Sequence, residues 1–135
     1  MLRLTDATYT YMVAHALDDL PNEACGLVAA APGGAKVERL YRCRNAADSS
    51  RLYELDPLDH LKADRDAEGR GLEIVGVYHS HTHTEAYPSP TDVAQAPDPS
   101  WHYLLVSLKD PEPVVRSFRI VDGAIEEEPL ELDRK

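Results

Sequence analysis

Short apolar runs separated by proline and glycine breaks mark out this chain, and the breaks carry helix and turn signals. Thr5 or Asp6 can cap a first helix running toward Leu20, where Pro21 stops it. Residues 25–31 are short and apolar, and Gly33-Gly34 supplies a turn. In the next segment, Lys36 to Arg44, Val37, Arg39, Tyr41 and Cys43 alternate with Glu38, Leu40 and Arg42, so a hairpin is expected. Asn45 to Ser50 reads as a loop and Arg51 to Leu55 as a short strand. Asp56-Pro57 is a strong helix start, a capping carboxylate followed by proline at the first helical position, and that helix should end near Gly69 or Gly71. Leu72 to Tyr78 is a buried strand that delivers the chain to His79. Ser89-Pro90-Thr91-Asp92 repeats the cap-then-proline signal and opens a short helix. Trp101 to Leu108 and Pro113 to Val121 read as strands joined by a turn at Lys109-Asp110-Pro111-Glu112, and Asp122-Gly123 turns into a last strand. This order predicts an α/β or α+β fold, a mixed sheet flanked by helices.

Composition narrows the picture. At 135 residues the chain is expected to be one domain, 1–135, able to bury a core without disulfide staples. Its net charge of −10 argues against nucleic acid or an anionic membrane as the main partner. No apolar run approaches the length that crosses a bilayer, and the N-terminus lacks the apolar core of a secretory signal. Two cysteines, Cys25 and Cys43, fit a reduced cytoplasm better than a disulfide framework; buried thiols are expected in neighbouring strands, with a single bridge between them as the alternative. Glu126-Glu127-Glu128 reads as a solvated strand face or tail, and His15, His60 and His102 as surface or core-edge residues. A homodimer is compatible with all of this.

The chemistry concentrates in His79-Ser80-His81, with Ser89 and Asp92 following. An extended backbone repeats its side-chain direction every second residue, so His79 and His81 point the same way and form a two-ligand clip. Asp92, near the start of the helix capped by Ser89, supplies a rigidly placed carboxylate. Three such ligands suit one zinc ion better than magnesium and leave a fourth position for water. A spacing of His-x-His-x7-Ser-x2-Asp should occur by chance in about one chain of this composition in a thousand. Hydrolysis also needs a base, and Glu23, Glu85 and the remote histidines are the candidates. Tyr87 and Trp101 are read as packing residues.

These residues resemble the JAMM (MPN-plus) metalloproteases, whose pattern is an upstream Glu followed by His-x-His-x7-Ser-x2-Asp, met here by Glu23, His79, His81, Ser89 and Asp92. Glu23-Ala24-Cys25-Gly26-Leu27, Asn45-Ala46-Ala47, Tyr53-Glu54-Leu55-Asp56-Pro57 and Glu85-Ala86-Tyr87-Pro88-Ser89 look like the compact prokaryotic branch, with the actinobacterial Mec type nearest. The resemblance covers nearly the whole chain. It implies a cytidine-deaminase-like sheet between helices, and one zinc held by His79, His81 and Asp92. It also implies Glu23 as general base and Ser89 as the group that stabilises the oxyanion or orients water. Asn45 would contact the substrate backbone. His83, a third histidine that departs from the family pattern, is read as a loop residue at the cleft rim, with competition as a zinc ligand or contact with substrate near the leaving group as the alternatives. The implied substrate is a small ubiquitin-like sulfur-carrier protein from whose C-terminus cysteine is released, a step of cysteine biosynthesis. An isopeptidase of the deubiquitinase or desampylase kind and a non-catalytic MPN scaffold are the alternatives. Nucleoside deamination is disfavoured, because the chain has no Cys-x-x-Cys pair.

Overall fold

The computed structural model describes residues 1–96 and 98–133. The elements run β1 (Leu2–Thr5), α1 (Asp6–Asp18), β2 (Cys25–Ala30), β3 (Arg39–Cys43), α2 (Pro57–Gly69), β4 (Glu73–His81), α3 (Pro90–Ala94), β5 (His102–Ser107), β6 (Val114–Val121), β7 (Ala124–Glu128) and β8 (Leu130–Asp133). Six strands form one mixed sheet in the order β3-β2-β4-β5-β6-β7. Only the β4–β5 pair is parallel; β2–β3, β2–β4, β5–β6 and β6–β7 are antiparallel. A parallel pair cannot be closed by a tight turn. The crossover from β4 to β5 is the segment that carries α3.

Alternation along β4 sorts its side chains between two cores. Val77 joins Leu27, Leu105, Phe118 and Ala63 on the α2 side, whereas Tyr78 joins Met12, Ala16, Val28 and Leu104 on the α1 side. Burying each large apolar side chain stabilises by roughly 1.5–3 kcal/mol. That is enough to offset the cost of sinking the polar end of β4, where His79, Ser80 and His81 are all buried. Gly26 lets β2 fit against β4: a Cβ there would collide with the ring of Tyr78 and the carbonyl of Tyr41.

Each helix begins as its capping signal predicts. Thr5 accepts from Thr8 N–H at 3.1 Å, Asp56 from Asp59 N–H at 3.1 Å and Ser89 from Asp92 N–H at 3.1 Å. Three boundaries differ from expectation. Residues 51–55 are not a strand: Leu55 makes one bridge to Asn45, and the Asn45 side chain takes up the local backbone groups that a ladder would use. The strand expected to end at Tyr78 continues through His81, so the histidines belong to the sheet itself. The last strand divides at Pro129, and β8 leaves the main sheet to pair in parallel with the unanticipated β1.

Candidate metal centre

Two elements converge on one point. His79 and His81 share a face at the carboxyl end of β4, and α3 presents Asp92 from its first turn. Their ligating atoms all lie within 4.8 Å of one another, and all three residues are buried. Nε2 of His79 is 3.2 Å and Nε2 of His81 is 2.9 Å from Asp92 Oδ2. The same oxygen accepts from Ser89 N–H at 2.9 Å, completing a capping box in which the Ser89 hydroxyl accepts from Asp92 N–H.

The hydrogen bonds of His81 test whether a cation fits. Its Nδ1 lies 2.8 Å from the carbonyl oxygen of Glu85, which can only accept, so Nδ1 carries a proton. In neutral His81, Nε2 is then a lone pair facing a carboxylate oxygen at 2.9 Å. Such a contact repels unless a proton or a cation stands between the two atoms. His79 Nε2 and Glu23 Oε1 are also buried without a hydrogen-bond partner. A metal ion satisfies these atoms together, and the donor set of two imidazoles and a carboxylate suits zinc.

The electrostatics follow from burial. Burial pushes the Glu23 carboxyl up to about 8, with His81 opposing and the Asp92 charge adding to the rise. Burial also lowers His79, against the pull of Asp92. For Asp92 burial works upward, but the adjoining imidazoles of His79 and His81 and the Ser89 N–H outweigh it and hold the carboxyl well below the usual carboxylate range. His81 is raised: burial lowers it, and the contacts with Asp92 and the Glu85 carbonyl outweigh that. Glu23, His81 and Ser89 line an open cleft of about 340 Å³, whose rim includes Arg51, Thr82 and His83.

The family described as prokaryotic homologs of the JAB domain matches residues 5–121. The chain belongs to that family. The CysO-cysteine peptidase of Mycobacterium tuberculosis is 50% identical over 120 residues, covering 88% of this chain and 82% of that protein. The desampylase of Haloferax volcanii is 33% identical over 103 residues, 76% of this chain and 74% of the relative. Among solved structures, protein DSY2949 from Desulfitobacterium hafniense superposes with a TM-score of 0.92 at 39% identity, covering 100% of this chain and 94% of that one.

In this JAB-family chain the structure brings His79, His81, Asp92, Glu23 and Ser89 together. Ser89 caps α3 and also lines the cleft: the cap uses a hydroxyl lone pair, which leaves the O–H hydrogen uncommitted. Glu85 is exposed, and its contribution is the backbone carbonyl that orients His81. Asn45 departs from the expected substrate contact. Its amide donates to the carbonyls of Glu23 and Leu52, each at 3.0 Å, and its oxygen accepts from Ala47 and Glu54 N–H, each at 3.0 Å. That leaves it as a brace beneath Glu23, with nothing free for a substrate.

Two residues of the JAB site escape sequence reading. Ser80, on the opposite face of β4, accepts from Ala24 N–H at 2.8 Å, while Ser80 N–H donates to the Ala24 carbonyl at 3.0 Å. Together with Glu23 N–H donating to Ser49 O at 2.8 Å, these bonds clamp the backbone around Glu23. Tyr53 stacks on His79 with ring centroids 4.2 Å apart and so fixes the imidazole plane. Sequence offers no signal for either contact. Away from the site, the expectation of a solvated 126–128 run fails at Glu128. It is buried, with Oε2 2.7 Å from His102 Nδ1 and accepting from the Ser117 hydroxyl at 2.9 Å. His15 is likewise buried, 2.6 Å from the Tyr78 hydroxyl. Cys25 and Cys43 are free, buried and directly opposite in the β2–β3 register, as expected of core thiols.

Proposed function

We propose that this protein is a zinc-dependent peptidase that cleaves the amide at the C-terminus of a small ubiquitin-like carrier protein, releasing cysteine. The observation that carries this reading is the meeting of three buried ligating atoms with an unpartnered Glu23 oxygen. The relative named for CysO-cysteine cleavage supports the choice of substrate, and the desampylase supports the broader class. His79, His81 and Asp92 would hold the zinc. When bound it would lower the pKa of a water toward about 7 and polarise the scissile carbonyl.

The protein's own groups do the rest. Glu23 takes the proton of the attacking water and hands it to the leaving amine. Ser89 donates its O–H to the carbonyl oxygen as negative charge grows there. The Glu85 carbonyl holds His81 in the tautomer that offers Nε2 to the metal. No helix among the described residues is long and apolar enough to cross a membrane. The facing free thiols of Cys25 and Cys43 suit a reducing compartment, which supports a cytoplasmic step in cysteine supply.

The test is to incubate the protein, with and without a chelator, with a carrier ending in Gly-Gly-Cys and with one joined by isopeptide to lysine. Mass spectrometry should find loss of one cysteine residue from the first, abolished by the chelator and restored by zinc. Faster cleavage of the isopeptide would favour the desampylase-like activity instead. No cleavage of either, in protein that elemental analysis finds metal-free and unable to load zinc, would leave only a binding scaffold.

A further inference from the structure

Arg51 stands on the rim of the catalytic cleft without a partner. In a chain carrying ten excess negative charges, six of the described arginines pair with a carboxylate, and Arg119 donates to the carbonyls of Pro99 and Ser100. Among the described arginines, Arg51 and Arg65 alone form no ion pair or side-chain hydrogen bond. Arg65 is exposed on α2. Arg51 lines the same cleft as Glu23, His81 and Ser89.

The segment that carries it is built into the site. Glu23 N–H donates to the carbonyl of Ser49, Arg51 N–H to the Ser49 hydroxyl, and Asn45 to the carbonyl of Leu52. From the other wall, the Thr82 hydroxyl donates to the Ser50 carbonyl at 3.2 Å. The backbone on both sides of Arg51 is therefore tied to the residues that place the base and to the residue that follows His81. The backbone is fixed while the exposed guanidinium stays uncommitted, a fork open to a planar anion. Glu23 is the acid that shares the cleft with it, and Ser50, Thr82 and Thr84 are neutral.

Resting on the proposed peptidase reading, we propose that Arg51 binds the free α-carboxylate of the residue that leaves. It thereby selects adducts whose leaving group is a single terminal amino acid. A lysine within a conjugated protein has no such carboxylate, and neither does a cysteine followed by further residues. Arg51 is a specificity residue in this scheme, acting on the leaving side while Glu23 and Ser89 act at the scissile bond.

The experiment compares two carriers that differ in one group, a Gly-Gly-Cys tail and the same tail ending in cysteinamide. Initial rates at subsaturating substrate, with zinc-loaded protein, give the acid-to-amide ratio of kcat/KM. Wild type should favour the acid by about ten- to a hundredfold, the scale of one charge-assisted bidentate contact. Arg51→Ala should bring that ratio to about one, chiefly by weakening KM for the acid. Arg51→Lys should keep an intermediate ratio, and Arg65→Ala should keep the wild-type one. Equal rates for acid and amide in the wild type overturn the role of Arg51 while leaving the peptidase reading intact. So does an Arg51→Ala variant that loses both substrates in proportion. A wild type that cuts neither tail overturns both readings at once.

Discussion

Two carboxylate–imidazole clusters built on a buried carboxylate lie among the described residues, and only one of them has chemistry left to offer. At the His102 end of β5, Glu128 Oε2 is 2.7 Å from His102 and accepts from Ser117, while Oε1 faces the Met1 ammonium at 3.2 Å. Oε1 makes no hydrogen bond, but the Met1 ammonium balances its charge. At the far end of β4, Asp92 meets His79 and His81 at similar distances, yet Glu23 Oε1 stays buried with neither a hydrogen bond nor an ion pair among the described residues. Residue type and burial are alike in the two places. The difference is unspent valence, and an unspent buried acceptor costs about 1–3 kcal/mol that something must justify. The proposed cation and reacting water would account for Glu23 Oε1, whereas at Glu128 the Met1 ammonium already accounts for Oε1.

The sharpest way to break this contrast is Glu23→Gln. It keeps the ligand set, so zinc content by elemental analysis should match wild type while turnover falls on the order of 10²–10⁴-fold. Near-normal turnover would remove Glu23 from the role of base. Glu128→Gln should do the opposite, leaving turnover near wild type and changing stability. Burial works against the Glu128 carboxylate, but the hydrogen bonds from His102 and Ser117 prevail and bring it down to about 2. A depressed carboxyl stabilises the fold above its unfolded value near 4.5, and that stability drains as pH falls toward about 2. Between pH 5 and pH 2 wild type should lose on the order of 3 kcal/mol more than Glu128→Gln, read by urea unfolding of the metal-free proteins. The smallest effect separates two buried serines. Ser80→Ala strands Ala24 N–H beside the base, so turnover should drop about tenfold with zinc retained. Ser117→Ala should lower the unfolding midpoint and spare turnover. Equal losses of activity in both would erase the distinction.

What the sequence disclosed and what it hid divide along the range of the contacts involved. His79 and His81 are legible because a strand repeats its direction every second residue, and Asp92 because Ser89 and Pro90 announce a helix start. The caps at Thr5 and Asp56 are local in the same way. Ser80 is hidden because its partner Ala24 lies 56 residues away in sequence, and Tyr53 because stacking on His79 has no spacing rule. β1 is short and its mate, β8, comes from the other end of the chain, although Leu2 and Leu4 flanking Arg3 already alternate as a strand should. The misread segment at 51–55 fails for a related reason: the Asn45 side chain competes with the ladder, and that competition is visible only in three dimensions.

The parallel pairing of β4 with β5 has a consequence for how such a protein can diversify. Because those strands need a long connection anyway, the stretch between Thr82 and Pro88 is anchored at one end by the sheet and at the other by the Ser89 cap. Lengthening or recasting that stretch changes what the mouth of the site admits while both anchors stay put, provided a carbonyl still meets His81 Nδ1 where Glu85 supplies one. New specificities can thus be grafted onto an unaltered engine, one surface loop at a time.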